Sequence, residues 1–339
     1  MLHFRVTAPL LGVVALACSS EAVNPGASGG AGGSAGTAGN AGRAGANRGG
    51  GGGTAGGGTG GAGLGGNTCS AEGGEGGART EPASCEIPSY ADATLASTMV
   101  GKVTIAVHDT DGAPVVDAPV TVCGVDVCSN LEHTDTDGVA VVNLRSAVTK
   151  PALKFGDGLA YAELAILLDH AEAGADFPDL TLPALPGDGA PISACATARS
   201  NGAELTLAPN ATFTLDTLPP YATPDSRAFR AAELPPEQIP AGIEHGAELE
   251  LIFTLAPLGA VICPPAELRL PNTAGWEPGT RVEFLVQGFG VGVEHGDQPF
   301  APYGEWQSVA TGVVDASGET LRTTSGGLPI ISNVGVRRL

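Results

Sequence analysis

Residues 100–144 read VGKVTIAVHDTDGAPVVDAPVTVCGVDVCSNLEHTDTDGVAVVNL, and this stretch decides the fold class. Val103, Ile105 and Val107 fall on every second position, the period expected of a strand with one buried face. Asp109-Thr110-Asp111-Gly112 then interrupts the pattern. An aspartate can hydrogen-bond its own backbone two residues on, and a glycine accepts a left-handed backbone, so the tetrapeptide reads as a tight turn. Pro119-Val120-Thr121-Val122 follows as a second strand. Thr134-Asp135-Thr136-Asp137-Gly138 repeats the turn, and Val139-Ala140-Val141-Val142-Asn143-Leu144 is a third strand. Short strands separated by Asp-Gly turns predict an all-β chain.

Downstream, residues 159–170 (LAYAELAILLDH) set two signals against each other. Their Ala, Glu and Leu content favours a helix, whereas strands flank them on both sides. A strand is the favoured reading. Residues 204–207 and 212–215 alternate polar and apolar side chains, as do residues 248–255, and residues 281–286 and the final segment to Leu339 read as strands. Residues 229–242 are a Pro-rich connection.

Upstream the texture is different. Residues 24–66 are nearly all Gly and Ala, and most of the chain's excess of glycine lies in this early region. Such a stretch buries too little apolar surface to offset its ordering entropy, and it is expected to be a disordered tether. Its r.m.s. span would be roughly 35–40 Å. Before it, Arg5 precedes an apolar run over residues 8–17, the right length for an export signal and too short for a bilayer span.

Composition narrows the function classes. Lys and Arg total 16 against 36 Asp and Glu, for a formal net charge of −20. Nucleic-acid binding rests on cationic neutralisation of phosphates, so this balance argues against it. It also disfavours electrostatic attachment to anionic lipid. Seven cysteines are present. Setting Cys18 aside leaves Cys69, Cys85, Cys123, Cys128, Cys195 and Cys263, an even number that suits disulfides in an exported chain. Nearest-neighbour spacing pairs Cys69 with Cys85, Cys123 with Cys128, and Cys195 with Cys263. None has zinc-site spacing.

The run Ala15-Leu16-Ala17-Cys18 resembles the lipobox of bacterial lipoproteins, with Ala15 and Leu16 exchanged relative to the usual order. The resemblance implies a signal peptide over residues 1–17 and a lipidated Cys18, with plain secretion if Cys18 carries no lipid. Ser19, in place of an inner-membrane retention aspartate, implies an outer-membrane or cell-surface address in a Gram-negative envelope. The order of strands and turns in residues 100–144 resembles the carboxypeptidase regulatory-like domain, a transthyretin-like β-sandwich with no peptidase site of its own. The string PPAELRLPNTAGWEPGTRVEF, followed by GEWQSVATGVVDASGETLRT, resembles a β-rich module of large secreted surface proteins of myxobacteria-like bacteria. The organisation is therefore signal peptide 1–17, lipidated cysteine and tether 18–84, a first β-sandwich 85–188, and a second β-sandwich-like domain 189–339.

Candidate chemistry is sparse. The histidines His3, His108, His133, His170, His245 and His295 are scattered, with no His-Glu-x-x-His spacing and no phosphate loop. Gly-x-Ser-x-Gly occurs only within the Gly/Ala stretch, at 26–30 and 32–36, where no strand and helix pattern flanks it to make a nucleophile elbow. No enzyme activity and no cofactor are expected. Asp109, Asp111, Asp135 and Asp137 have the alternation of oxygen ligands for calcium, though the distal acidic ligand is missing and turn chemistry accounts for them. Trp276, Phe300, Tyr303 and Trp306 are candidate stacking residues for a sugar face, with a place in the core as the alternative. The leading expectation is a surface-anchored protein of structural or adhesive role, joined to the membrane through its lipid and binding an unidentified protein or glycan. The alternatives are a glycan-binding module built on the aromatics, or a carbohydrate-active or peptide-processing enzyme.

Overall fold

The computed structural model describes residues 89–91, 97–125, 127–168, 174–215, 223–240, 242–243, 247–289 and 297–339, all within one compact unit. The segment expected to serve export, Cys18, the Gly/Ala stretch, Cys69 and Cys85 lie outside the described residues, as do Asp169, His170, His245 and His295.

The chain is all-β. The first group of strands is β1 (Ser89–Ala91), β2 (Ser97–His108), β3 (Pro119–Cys123), β4 (Glu132–His133), β5 (Val139–Thr149), β6 (Ala152–Phe155), β7 (Leu164–Leu167) and β8 (Ala175–Thr181). The second is β9 (Thr197–Ser200), β10 (Ala203–Thr206), β11 (Thr212–Thr214), β12 (Arg230–Leu234), β13 (Leu251–Ala256), β14 (Val261–Pro271), β15 (Arg281–Gln287), β16 (Asp297–Pro299), β17 (Trp306–Val314), β18 (Thr320–Gly326), β19 (Leu328–Ile330) and β20 (Val334–Arg338). The contested segment at 159–170 thus carries a strand, β7.

The first group makes a sandwich of two sheets, β5-β2-β8 and β4-β3-β6-β7. Val103, Ile105 and Val107 of β2 point inward, each at most 1 % exposed, against Val120, Val122, Leu153, Phe155, Leu164 and Ile166. Burying each such side chain contributes roughly 1.5–3 kcal/mol of transfer free energy. The two Asp-Gly turns have one geometry. Asp109 Oδ1 accepts the N–H groups of Asp111 and Ala113, and Asp135 Oδ1 accepts those of Asp137 and Val139, all at 2.9 Å. Gly138 adopts φ +75°, and an added Cβ would lie 2.5 Å from the Val107 carbonyl oxygen, so only glycine closes this turn.

The second group forms a long sheet with the path β12-β13-β20-β15-β17-β18-β14-β10-β9, with β11 and β19 also pairing β14. It curls until its two ends meet in a nearly closed barrel. At the seam, side chains stand in for the ladder: Ser200 Oγ accepts the Ala231 N–H and Asn201 Nδ2 donates to the Ala231 oxygen, both at 3.0 Å. Inside lie Leu205, Phe229, Leu251, Phe253, Leu268, Val282, Phe284 and Val336, among others.

Among the described residues, backbone pairing crosses between the two groups where β1 pairs β16 and otherwise stays within each. The hydrophobic core does not divide so cleanly. Leu234, Ile252 and Leu285, on the outside of the barrel, belong to the same buried cluster as the sandwich interior. This explains β13, whose residues are all buried, where alternation along 248–255 led to an expectation of one buried face. Leu251, Phe253 and Leu255 fill the barrel while Ile252 packs under the sandwich.

Candidate functional site

The sheet β4-β3-β6-β7 buries one face in the sandwich. Its other face carries a recess. Strand register puts Lys154 opposite Thr121 on one side and Ala165 on the other, so these side chains share that outer face, with Gly156 and Glu163 one step further along. Pro119, Thr121, Leu131, Lys154, Gly156, Asp157 and Glu163 line a pocket of about 270 Å³. Local backbone geometry shapes it. Gly156 has φ +94°, and a Cβ there would sit 1.7 Å from the Ala162 oxygen, so the chain can bring the loop this close only with glycine. Asp157 Oδ1 then accepts the N–H groups of Leu159, Ala160 and Tyr161 at 2.9–3.0 Å and organises the loop that returns to β7.

Two charges meet in this recess. Burial pushes the Glu163 carboxyl above the usual carboxylate range, Lys154 opposes that shift, and Asp157 adds to it. Burial likewise pushes the Lys154 ammonium down, against the pull of Glu163. The Lys154 Nζ lies 5.2 Å and 5.5 Å from the ring centroids of Tyr303 and Phe289, within cation–π reach. Thr121, the hydroxyl of the lining, is engaged with Ser129 Oγ at 3.1 Å.

The barrel side of this face is a polar seal. β7 is the last strand of its sheet, and an edge strand leaves carbonyls without a ladder partner. Gln287 Nε2 donates to the Ala165 oxygen at 2.9 Å, and Asn333 Nδ2 donates to the Glu163 oxygen at 3.0 Å and to Gln287 Oε1 at 2.9 Å. Both side chains are nearly inaccessible, at 2 % and 1 % exposure. Tyr303 Oη donates to the Cys123 oxygen at 3.2 Å, and Lys150 pairs with Glu305 at 2.8 Å.

The aromatics expected to present a stacking platform are instead spread over three packing clusters. Phe300 is 5 % exposed in the barrel core and Tyr303 is 2 % exposed beside Cys123 and Leu167. Trp306 is half-buried against the sandwich core and donates its indole N–H to the Ile243 oxygen at 2.7 Å. Trp276 packs on the barrel, with the Arg338 guanidinium 5.8 Å from its ring. Their large apolar area is used as core, so they do not gather on one surface. The four aspartates proposed for calcium are the turn residues described above, with Oδ1 of Asp109 and Asp135 already taken by backbone N–H groups. Cys123 and Cys128 are bonded to each other, and Cys195 and Cys263 are disulfide-bonded as well.

Lys154, Glu163, Gln287 and Asn333 escaped the sequence reading. A trace existed for two of them: Lys154 sits within the apolar ALKF and Glu163 just precedes LAIL, charges at positions the strand pattern assigns to a covered sheet.

No protein-family model matches the chain, and no curated protein matches it. A comparison of folds relates it to the structure titled "The Bacillus anthracis TIE protein", at 9% sequence identity and a TM-score of 0.20, over 71% of this chain. This chain spans 31% of that one.

Proposed function

We propose that the chain is a lipid-anchored cell-surface protein that serves in binding, with the recess over β3 and β6 as its ligand site. The observation that carries the binding half is the composition of that recess: apolar walls from Pro119 and Leu131 around a desolvated acid and amine. Recesses of this make-up hold ligands by a few placed polar groups within an apolar surround. The hydroxyl in its lining is tied to Ser129 rather than to a base. The anchoring half is carried by sequence. The lipobox-like Ala15-Leu16-Ala17-Cys18 and the Gly/Ala stretch at 24–66 would set the β body away from an outer membrane. The likeness of residues 100–144 to carboxypeptidase regulatory-like domains, and of residues 189–339 to modules of secreted surface proteins, fits the same setting. Burial of Phe300 and Tyr303 removes the support for a sugar-stacking platform.

Intact mass of the native protein extracted from membranes, with and without reductant, tests the anchor. A chain starting at Cys18 with added acyl mass supports it, and an unlipidated chain released to the medium overturns it. Mass gain on reduction counts the disulfides, which include Cys123–Cys128.

A further inference from the structure

The recess has a chemical preference beyond being a binding site, and the inference rests on that reading while standing apart from the lipid anchor. From the placement of Glu163 and Asp157 in one lining with the apolar side chains of Pro119 and Leu131, we infer that the pocket takes a primary ammonium group on a short apolar stem. Three features argue for it.

First, the Glu163 side chain accepts no hydrogen bond from the described residues: what acts on it is burial and the charges of Lys154 and Asp157. Its main-chain oxygen is taken by Asn333, and its side chain, on the outer face of the sheet with Lys154, lines the pocket. A desolvated carboxylate without donors is costly, and a ligand that brings donors recovers that cost. Second, the charge balance favours a cation. Glu163 and Asp157 set two carboxylates in the lining against the one ammonium of Lys154, and the Lys154 charge rests against the ring faces of Tyr303 and Phe289. Third, the shape fits a stem. The volume of about 270 Å³ corresponds to roughly nine waters. At the mouth stands Leu131, 58 % exposed and so ready to cover methylenes that leave the pocket. A lysine side chain and a small free alkylamine share this chemistry.

The test uses the full-length protein and follows titrations by two-dimensional NMR. The probes are n-butylammonium, Nα-acetyl-lysine amide, n-butanol and butyrate. Saturable shifts confined to β3, β6 and the 156–163 loop are expected for the two ammonium probes, with Kd on the order of 1 mM for ligands of this size. Glu163→Gln should weaken them about tenfold or more. Leu131→Ser, at an exposed position that the fold tolerates, should weaken them a few-fold. Tighter binding of the lysine amide assigns the source to a polypeptide, and tighter binding of butylammonium assigns it to a free amine. Binding of butanol or butyrate in preference to both ammonium probes keeps the recess as a ligand site but overturns the ammonium assignment. So does Glu163→Gln binding unchanged in a folded protein. No saturable shift with any probe overturns the ligand site itself.

Discussion

The sandwich and the barrel handle their sheet edges differently. The barrel curls its sheet until β9 and β12 meet and closes the seam with Ser200 and Asn201, both drawn from its own chain segment. The sandwich cannot do this at β7. The carbonyls along its edge, at Ala165 and the adjoining Glu163, are satisfied by Gln287 and Asn333, which the barrel supplies from 122 and 170 residues downstream. An edge that is neither closed nor covered invites pairing with other chains. The comparison therefore assigns the two modules unequal independence: the barrel completes itself, and the sandwich is completed by the barrel. It also places the recess on the dependent module, with the tyrosine and phenylalanine of the barrel backing Lys154.

The largest effect expected is at the shared edge. Gln287→Ala removes the amide that bonds the Ala165 oxygen and leaves Asn333 Nδ2 one acceptor short. Leaving such buried groups unsatisfied should cost about 2–4 kcal/mol in urea unfolding. A loss under about 1 kcal/mol would mean that the edge is held by apolar packing alone. The seam should be milder. Ser200→Ala leaves the Ala231 N–H without its acceptor and should cost about 1–2 kcal/mol. Faster hydrogen exchange at Ala231 and its neighbours, with the sandwich amides unchanged, would confirm that the seam belongs to the barrel only.

A third test concerns the recess. The Glu163 carboxyl is raised in the folded protein, so its contribution is most favourable below the ordinary glutamate range near 4.5 and declines as pH rises through the folded value. Glu163→Gln should therefore match the native protein in acid and become the more stable of the two at neutral pH. Equal unfolding midpoints at both pH values would show that the carboxyl is not desolvated. The smallest effect is a turn in the barrel. Ser317, Thr320 and backbone N–H groups hold the Asp315 carboxyl down to about 2. Its contribution is present above the ordinary value of 3.8 and fades as pH falls toward 2. Asp315→Asn should remove that part of the acid dependence, seen as a shallower drop of Tm between pH 4 and pH 2. An unchanged slope would assign the acid dependence to other carboxylates.

Much of the fold was legible because its signals are local. In both Asp-Gly turns the first aspartate bonds N–H groups two and four residues ahead, and Gly112 and Gly138 take the left-handed backbone the sequence implied. The alternation of β2 carried through to burial. One strong local signal was passed over. Asn201 and Gly202, at φ +47° and +77°, join β9 to β10 through a two-residue turn, the pairing most typical of a tight hairpin. The fate of the aromatics was not legible, because Phe300 and Tyr303 are separated by three positions yet enter different clusters. Nor was β13, whose second buried face is set by the module packed on it.

The sequence by itself determined the all-β class and the sites of the Asp-Gly turns, because side-chain-to-backbone hydrogen bonds between neighbours need no other part of the chain. It also placed Cys123 and Cys128 close enough to join. The tertiary structure alone decided that Lys154 and Glu163 would share a desolvated recess and that Gln287 and Asn333 would seal the strand beside it. Those outcomes depend on which segments are brought together and which are shut away from water, and burial of a charge or an edge carbonyl is a property of the assembled layers.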